Sequence, residues 1–486
     1  MNKKYKKNRH ILLFYLPISK INPFRWKNFY KDLNEAISGT DQDFTKGSLR
    51  RAIFLLSIPM VLEMIMESIF AIVDIFFVSK LGAEAVATVG LTESLLTIVY
   101  ALGIGFAMGA TALVSRRIGE GDANAAATSG FQAILVGLIL SMLISLTGIF
   151  FSKDLLELMG ASETIIDRYS GYLSIMMGTN AVIMLLFINN AIFRSSGDAV
   201  TAMRVLWFAN ILNIVLDPCL IFGLGPFPEL GIEGAAIATS IGRGLAVIVQ
   251  FYLLFKGSSR IRLNRENFRI IPKVMGRLIR LASGNIGQYL IATASWIGMV
   301  RIISIFGSEV LAGYTIAIRI IIFALLPTIG ISHAAATLVG QNLGAGEPDR
   351  AEKSVWSTGR INMIVLGLIG LVLVIMPGSF IRMFIQDPEV IIYGAACLRI
   401  ISYGFLFYGF GMVLVNSFNG AGDTVTPVWI NLICFWIIEI PLAYYLAIHT
   451  GFNEKGVYFS IVIAETLMTL MAFMIFRRGK WKLKQV

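Results

Sequence analysis

Apolar residues run through this chain in long blocks separated by short polar breaks. Blocks of roughly 20 residues or more recur, each long enough to cross a ~30 Å hydrocarbon layer as a helix. About twelve can be counted, at 52–79, 85–113, 127–151, 163–193, 203–224, 231–255, 277–305, 310–340, 356–379, 388–418, 426–449 and 454–477. The strict alternation of a membrane β-barrel is absent. The pattern predicts an all-α, polytopic membrane protein with twelve transmembrane helices.

Composition agrees. Of 486 residues, 56% are hydrophobic and 15% charged, and the mean hydropathy is +0.75. Soluble domains average about 45–50% apolar and about 25% charged residues. The formal net charge of +11 is unevenly spread. Twelve Lys/Arg against four acids fall in the first 51 residues, and eight against one in FKGSSRIRLNRENFRIIPKVMGRLIR after the sixth span. The tail RRGKWKLKQV is basic throughout. With an even span count all three lie on one side, and basic flanks stay cytoplasmic. Both termini are therefore expected inside a bacterial inner (plasma) membrane. Confined to membrane flanks, the basic charge suits anionic lipid headgroups and not nucleic acid. ILLFYLPI is too short for a signal sequence and is followed by polar chain, so residues 1–50 read as a cytoplasmic extension lying partly on the membrane surface.

The chain repeats itself. GDAVT begins at Gly197 and GDTVT at Gly422, a shift of 225 residues. The same shift carries Gly82, Glu84 and Ala87 onto Gly307, Glu309 and Ala312, Ile104–Gly105 onto Ile329–Gly330, and Gly119 and Gly121 onto Gly344 and Gly346. Six spans per half give both halves one orientation, so the symmetry axis runs along the membrane normal, an arrangement found in transporters. The domain reading is an extension 1–50, a six-helix bundle 51–255, a basic linker 256–276, a second bundle 277–478 and a tail 479–486. The GDAVT and GDTVT elements are expected to turn the chain, with Gly at the bend and Asp or Thr capping a helix.

Charged groups inside a span are costly, by about 2.5–3.5 kcal/mol on insertion scales, and usually face the protein interior. The first span carries Glu63, Glu67 and Asp74 on one helical face. Three carboxylates in a stripe repel, so at least one is expected to be protonated or to hold a cation. Glu63 and Glu67 read equally as proton or substrate acids and as hydrogen-bonding partners of a neighbouring helix. In NIVLDP, Asn213 and Asp217 share a face, and Pro218 removes a helical N–H and suggests a hinge. A carboxylate, an amide oxygen and a freed carbonyl suit Na⁺ or a proton. In the second half Gln288 replaces Glu63, Met299 replaces Asp74, and Pro441 survives where Ile440 replaces Asp217. A scaffold requirement should appear in both halves, whereas chemistry can reside in one.

The IP…VDIFFVSKLGAEAVA pattern, RSSGDAVTAMR, NGAGDTVTP, NIVLDP and GIEGAAIATSI, in that order with twelve spans, resemble the MATE (multidrug and toxic compound extrusion) transporters over roughly 50–480. The resemblance implies two six-helix bundles around a central cleft and export of cationic or amphipathic compounds driven by H⁺ or Na⁺, with no other cofactor. It also implies a cation site of Asp74, Asn213, Asp217 and Thr239. The seventh and tenth spans lack the acids some members carry, which is closer to the DinF-like branch. Glu63 and Glu67 are additional to the pattern.

Other features carry less. Glu439 and Glu465 could contact substrate or pair structurally, and Arg243, Arg301, Arg319 and Arg399 could snorkel or pair with acids. GIGFAMG lies in a span without a preceding strand and reads as helix packing, and no Walker sequence offers an ATP site. His10, His333 and His449 are scattered, Cys219, Cys397 and Cys434 lie in spans, and no enzyme constellation is found. The expected partners are small amphipathic or cationic substrates and membrane lipids, with the chain acting as a monomer. The rivals are a lipid-linked oligosaccharide flippase, which needs a strongly cationic cleft, and a channel.

Overall fold

The computed structural model describes residues 23–40, 42–257 and 260–486. Much of the extension, with its expected surface-lying part, lies outside the described residues. A helix α1 (Pro23–Ser38) precedes the first half, which consists of α2 (Leu49–Ser79), α3 (Ala83–Gly119), α4 (Ala123–Phe150), α5 (Ser152–Leu158), α6 (Glu163–Gly178), α7 (Asn180–Ser196), α8 (Ala199–Phe222) and α9 (Gly231–Lys256). The second half consists of α10 (Pro272–Ile303), α11 (Ser308–Gly344), α12 (Pro348–Ile375), α13 (Pro377–Arg382), α14 (Pro388–Ser402), α15 (Phe405–Gly420), α16 (Val425–Asn431), a π-helical stretch Leu432–Glu439, α17 (Ile440–His449) and α18 (Glu454–Arg477). Among the described residues ten helices are long and apolar enough to span a membrane, or eleven with α14 and α15 taken as one bent span. The acid-bearing α2, 31 residues long, is not among these, and counting it as a span on its repeat relation to α10, where Glu63 meets Gln288, gives twelve.

The termini of these helices follow the chain's local chemistry. Gly197 ends α7 at φ +95°, and Asp198 caps α8 by accepting from the Thr201 amide. Three spans depart from straight helices. The fourth is broken at Thr179, whose hydroxyl donates to the Ile175 carbonyl at 2.7 Å, while Asn180 donates to the Met177 carbonyl at 2.6 Å. Side-chain bonds to the backbone accompany the break, with the Thr179 amide still donating to the Ile175 carbonyl at 2.9 Å. The tenth span bends by 56° between α14 and α15. In the eleventh, the π-helical stretch runs up to Pro441, which cannot donate to the turn before it. Pro218 makes no such break, and α8 runs through it to a left-handed cap at Gly223. Its hinge role is thus not expressed in this conformation.

The halves meet through α2, α3, α10 and α11, and the contacts obey the repeat. Gly119 packs against the backbone of Gln341, and Gly344 against the backbone of Arg116, the same pair moved by 225 in each partner. Gly105 faces Ala282 and Ile286, and Gly330 faces Met60 and Val61. Ser115 faces Gly340, its own equivalent, so the pseudo-twofold axis passes between them. A Cβ at Gly119, Gly340 or Gly344 would overlap the opposing half. These approaches run from the helix ends that carry the termini and the linker, at Gly119 and Gly344, to about mid-helix, at Gly105 and Gly330. Towards the other ends of the same helices, Gly90 has nothing within 4 Å of an added Cβ, while Gly298 and Gly313 meet only their own half. The halves therefore close on the terminal side and part on the opposite side, leaving a cleft. Large apolar side chains such as Met142, Phe150, Leu368 and Ile375 lie exposed around the outside, as a lipid-facing belt requires.

The closure predicts a contrast between two glycines. Gly119→Ala should lower the unfolding temperature in detergent, since overpacking costs about 1–3 kcal/mol. Gly276→Ala, helical with nothing within 4 Å, should leave it equal or higher, by about 0.5–1 kcal/mol of helix propensity. Equal effects from the two would contradict the close-packed interface.

Candidate functional site

The first bundle's acids fall into three environments. Around NIVLDP, the side chains of Asn213, Asp217 and Thr239 are all buried, brought together by the packing of α8 on α9. With its amide oriented to satisfy both ends, Asn213 donates to Asp217 Oδ2 at 2.9 Å and accepts from the Thr239 hydroxyl at 3.0 Å and amide at 2.9 Å. Asp217 Oδ1 has no hydrogen-bond partner. Asp74 on α2 is close enough for the two carboxylates to act on each other electrostatically. Two oxygen-rich acids, one with a buried orphan oxygen, form a donor set that fits a proton or a small hard cation. The structure thus gathers the four expected residues in one region.

Glu67 lies in a second environment. It accepts from Asn210 Nδ2 at 3.0 Å and from Arg243 Nη2 at 3.3 Å. The Arg243 guanidinium also lies 5.4 Å from the Phe70 ring centre and has Tyr100 as a neighbour. Arg243 thus pairs with an acid, one of the two roles open to it from sequence.

Glu63 lies in the third, 1% exposed. Its Oε1 accepts from Arg194 Nη1 at 2.8 Å and Asn190 Nδ2 at 3.1 Å. Gln250 extends the network by donating to Asn190 at 2.7 Å and accepting from Asn189 at 3.1 Å. The repeat gives this pair a meaning. Shifting both residues by 225 turns Glu63 and Arg194 into Gln288 and Asn419, which exchange hydrogen bonds at 3.0 and 3.1 Å. The same two helices are tied at the same place in each half, by charges in one and by amides in the other. Glu63 thus occupies a scaffold position, whereas Glu67, Asp74, Asp217 and Arg243 meet Ala292, Met299, a leucine or isoleucine, and Met468 in the second half.

One acid was missed from sequence. Glu93, in LTESLL, is exposed well inside α3, and its charge neighbours are Arg319 of the other half and Asp74. Arg319, also exposed, sits at a similar depth on α11. These two groups place opposite charges on facing walls of the cleft. An acid in mid-span was the available signal, the same one that singled out Asp74. Elsewhere, Glu439 is buried with one unpartnered oxygen and Glu465 is its charge neighbour, while Arg399 donates to the Val374 carbonyl at 3.3 Å.

The sequence profile described as MatE matches residues 59–219 and 286–445, one block in each half. The chain belongs to the MatE family. It is similar to the probable multidrug resistance protein NorM of Thermotoga maritima, at 26% identity over 90% of this chain and 94% of that protein. It is also 26% identical to an FAD transporter of Shewanella oneidensis, over 88% of this chain and 94% of that one. Its fold matches a solved structure of a multidrug resistance MATE family transporter of the MOP superfamily in an outward-facing conformation. That match has a TM-score of 0.85 and 24% identity, covering 91% of this chain and 98% of that one. Like other MatE proteins, this chain is a multi-pass membrane transporter and not an enzyme.

The repeat predicts how the Glu63 tie responds to mutation. Arg194→Asn alone strands a buried carboxylate and should cost about 3–5 kcal/mol of stability. Adding Glu63→Gln, which copies the second half's pair, should recover most of it in detergent melts. A double variant as unstable as the single one would show that the charges themselves are required.

Proposed function

We propose that this MatE protein is a secondary active exporter of small amphipathic or cationic compounds, coupled to inward movement of H⁺ or Na⁺ by alternating access. The basic flanks place the closed terminal side in the cytoplasm, so the cleft opens outward. The observation that carries the reading is Asp217, a wholly buried carboxylate with one oxygen orphaned and the other held by Asn213, in a half-specific cluster with no counterpart after the repeat shift. A cation at Asp217 and Asp74 satisfies the orphan oxygen and relieves repulsion between the acids. It thereby favours one packing of α2, α8 and α9 over another, and with it one orientation of the cleft. One net inward charge across 100 mV supplies ~2.3 kcal/mol, enough for roughly fifty-fold accumulation of an uncharged compound. A monovalent cation exchanged one-for-one moves no net charge and is driven by the ion's concentration gradient. The first-bundle location of the ion agrees with the DinF-like resemblance.

Glu67, Asp74 and Glu93 on the first bundle disfavour the flippase alternative, which needs a strongly cationic cleft. A second reading, export of an anionic flavin-like compound, draws on the exposed Arg319 and on the relative that carries that name. Efflux separates the two. In energised cells lacking their own pumps, the wild type should export ethidium, and Asp217→Asn at equal expression should cut the rate tenfold or more. Glu63→Gln/Arg194→Asn should keep most of it. Ethidium efflux that survives Asp217→Asn would overturn the assigned ion site, and flavin export without ethidium export would favour the second reading.

A further inference from the structure

Two segments outside the spans cross the closed face. The first, residues 42–48, leads from α1 into α2. Its Phe44 is fully buried in a cluster with Leu56, Met60 and Ala199 of the first half and Ala334 and Leu338 of the second. The segment's backbone is held from the other half, where Arg350 of α12 donates to the carbonyls of Phe44, Lys46 and Gly47 at 3.2, 2.9 and 3.0 Å. Arg260 of the linker donates to the Gln42 carbonyl and lies over the Phe44 ring at 5.6 Å.

The second segment, residues 480–486, follows α18. Trp481 is buried and stacks on Phe476 at 4.6 Å. Lys482 pairs with Glu352 at 2.6 Å and Asp349 at 3.2 Å, and Lys484 with Asp423 at 3.1 Å, all in the second half. The grip from the first half comes through the backbone. Arg116 Nη2 donates to the Lys484 carbonyl at 2.6 Å, and Arg117 Nη2 to the Val486 carbonyl at 3.2 Å. Arg277 of α10 shares that Val486 oxygen at 3.2 Å.

The two crossings are related by the repeat. Gly197, at φ +95°, has Phe44 where a side chain would be, with Phe44 Cε2 2.8 Å from an added Cβ. Gly422, at φ +85°, has Val486 in the same place, with Cγ2 at 2.5 Å. Gly197 and Gly422 are the glycines of GDAVT and GDTVT. These turns therefore do more than reverse the chain, since each leaves a bare seat on the closed face that receives an apolar side chain from a crossing segment.

We propose that segments 42–48 and 480–486 are paired latches that hold the terminal-side face closed and bias the carrier toward the conformer described here. Each is anchored in one half and gripped by arginines of the other, and opening that face must break both grips along with the glycine contacts on the axis. The proposal rests on the alternating-access reading, because a latch has meaning only if that face opens. Its energetic reach follows from the contacts. The grips are charge-assisted hydrogen bonds to carbonyls, stronger than neutral ones, and they exist only in the closed arrangement, so they act on the equilibrium and not on both states alike.

The test is a distance measurement between the halves by double electron–electron resonance. Spin labels go on Ala123→Cys and Lys353→Cys, exposed positions at the closed-side ends of α4 and α12, in the full chain with Cys219, Cys397 and Cys434 changed to Ala, in lipid nanodiscs. Arg350→Gln removes the first grip and Arg116→Gln with Arg117→Gln the second, without touching the core, and a double variant joining the two sets removes both. The expected result is a dominant short distance with intact latches, and a longer component in the double variant whose ratio to the short one rises about fivefold or more. Arg350→Lys should restore most of the short population. If changes of pH, sodium or added ethidium produce the long distance in the parent while the double variant leaves the ratio unchanged, the latches are refuted and alternating access stands. If no condition and no variant ever produces it, alternating access itself fails and the latches with it. Phe44→Ala serves as a second probe of the first latch, and an unchanged ratio in that variant too would refute it there.

Discussion

Everything in this molecule is built around one approach, that of Ser115 to Gly340 on the pseudo-twofold axis. Two helices can come this close only where side chains are missing, and α3 and α11 omit them at Gly119, Gly340 and Gly344. Such contacts are steep, because a dispersion-packed surface loses much of its attraction when the gap widens by an ångström. A small rotation of one bundle against the other therefore gives up the whole row of contacts at once. That steepness favours two arrangements of the halves over a continuum. It also explains why the interface occupies the terminal-side half of α2, α3, α10 and α11. The remaining length of each helix is left to line the cleft, where Glu93 and Arg319 face one another.

Symmetry in the scaffold contrasts with asymmetry in the chemistry. The tie between α2 and α7 recurs in the second half with amides in place of charges, so the geometry is kept and the electrostatics are not. Asp74 and Asp217 have no such echo, and their positions are filled by apolar residues there. A repeat protein can specialise in this way because packing requires both halves, whereas binding one cation requires only one site. The second half has its own acids, the buried Glu439 and the half-buried Glu465, the former at the end of a π-helical stretch that the first half lacks.

Much of this was legible in the sequence for identifiable reasons. A mid-span acid or a glycine–aspartate turn has few structural solutions, so Asp217, Gly197 and Asp198 could be placed without coordinates. The 225-residue shift gave the symmetry, but not which repeated residues would touch across the axis, since that depends on the rotation of each helix. Pairing was the weakest point. Helical spacing put Glu63, Glu67 and Asp74 on one face, and only the neighbouring helices could show that Arg194 and Arg243 divide that face into separate environments. The breaks at Thr179 and in the tenth span were likewise hidden, because both fall inside long, largely apolar windows with no proline at the break.

The central claim is that substrate and a cation at Asp217 exclude one another through the first bundle. The most direct test is ion release from purified protein at equilibrium, by adding ethidium in weak buffer and recording proton and sodium activity. The account predicts release of one of the two ions in proportion to bound dye from the wild type, and none from Asp217→Asn that still binds dye. Undiminished release from that variant would contradict it.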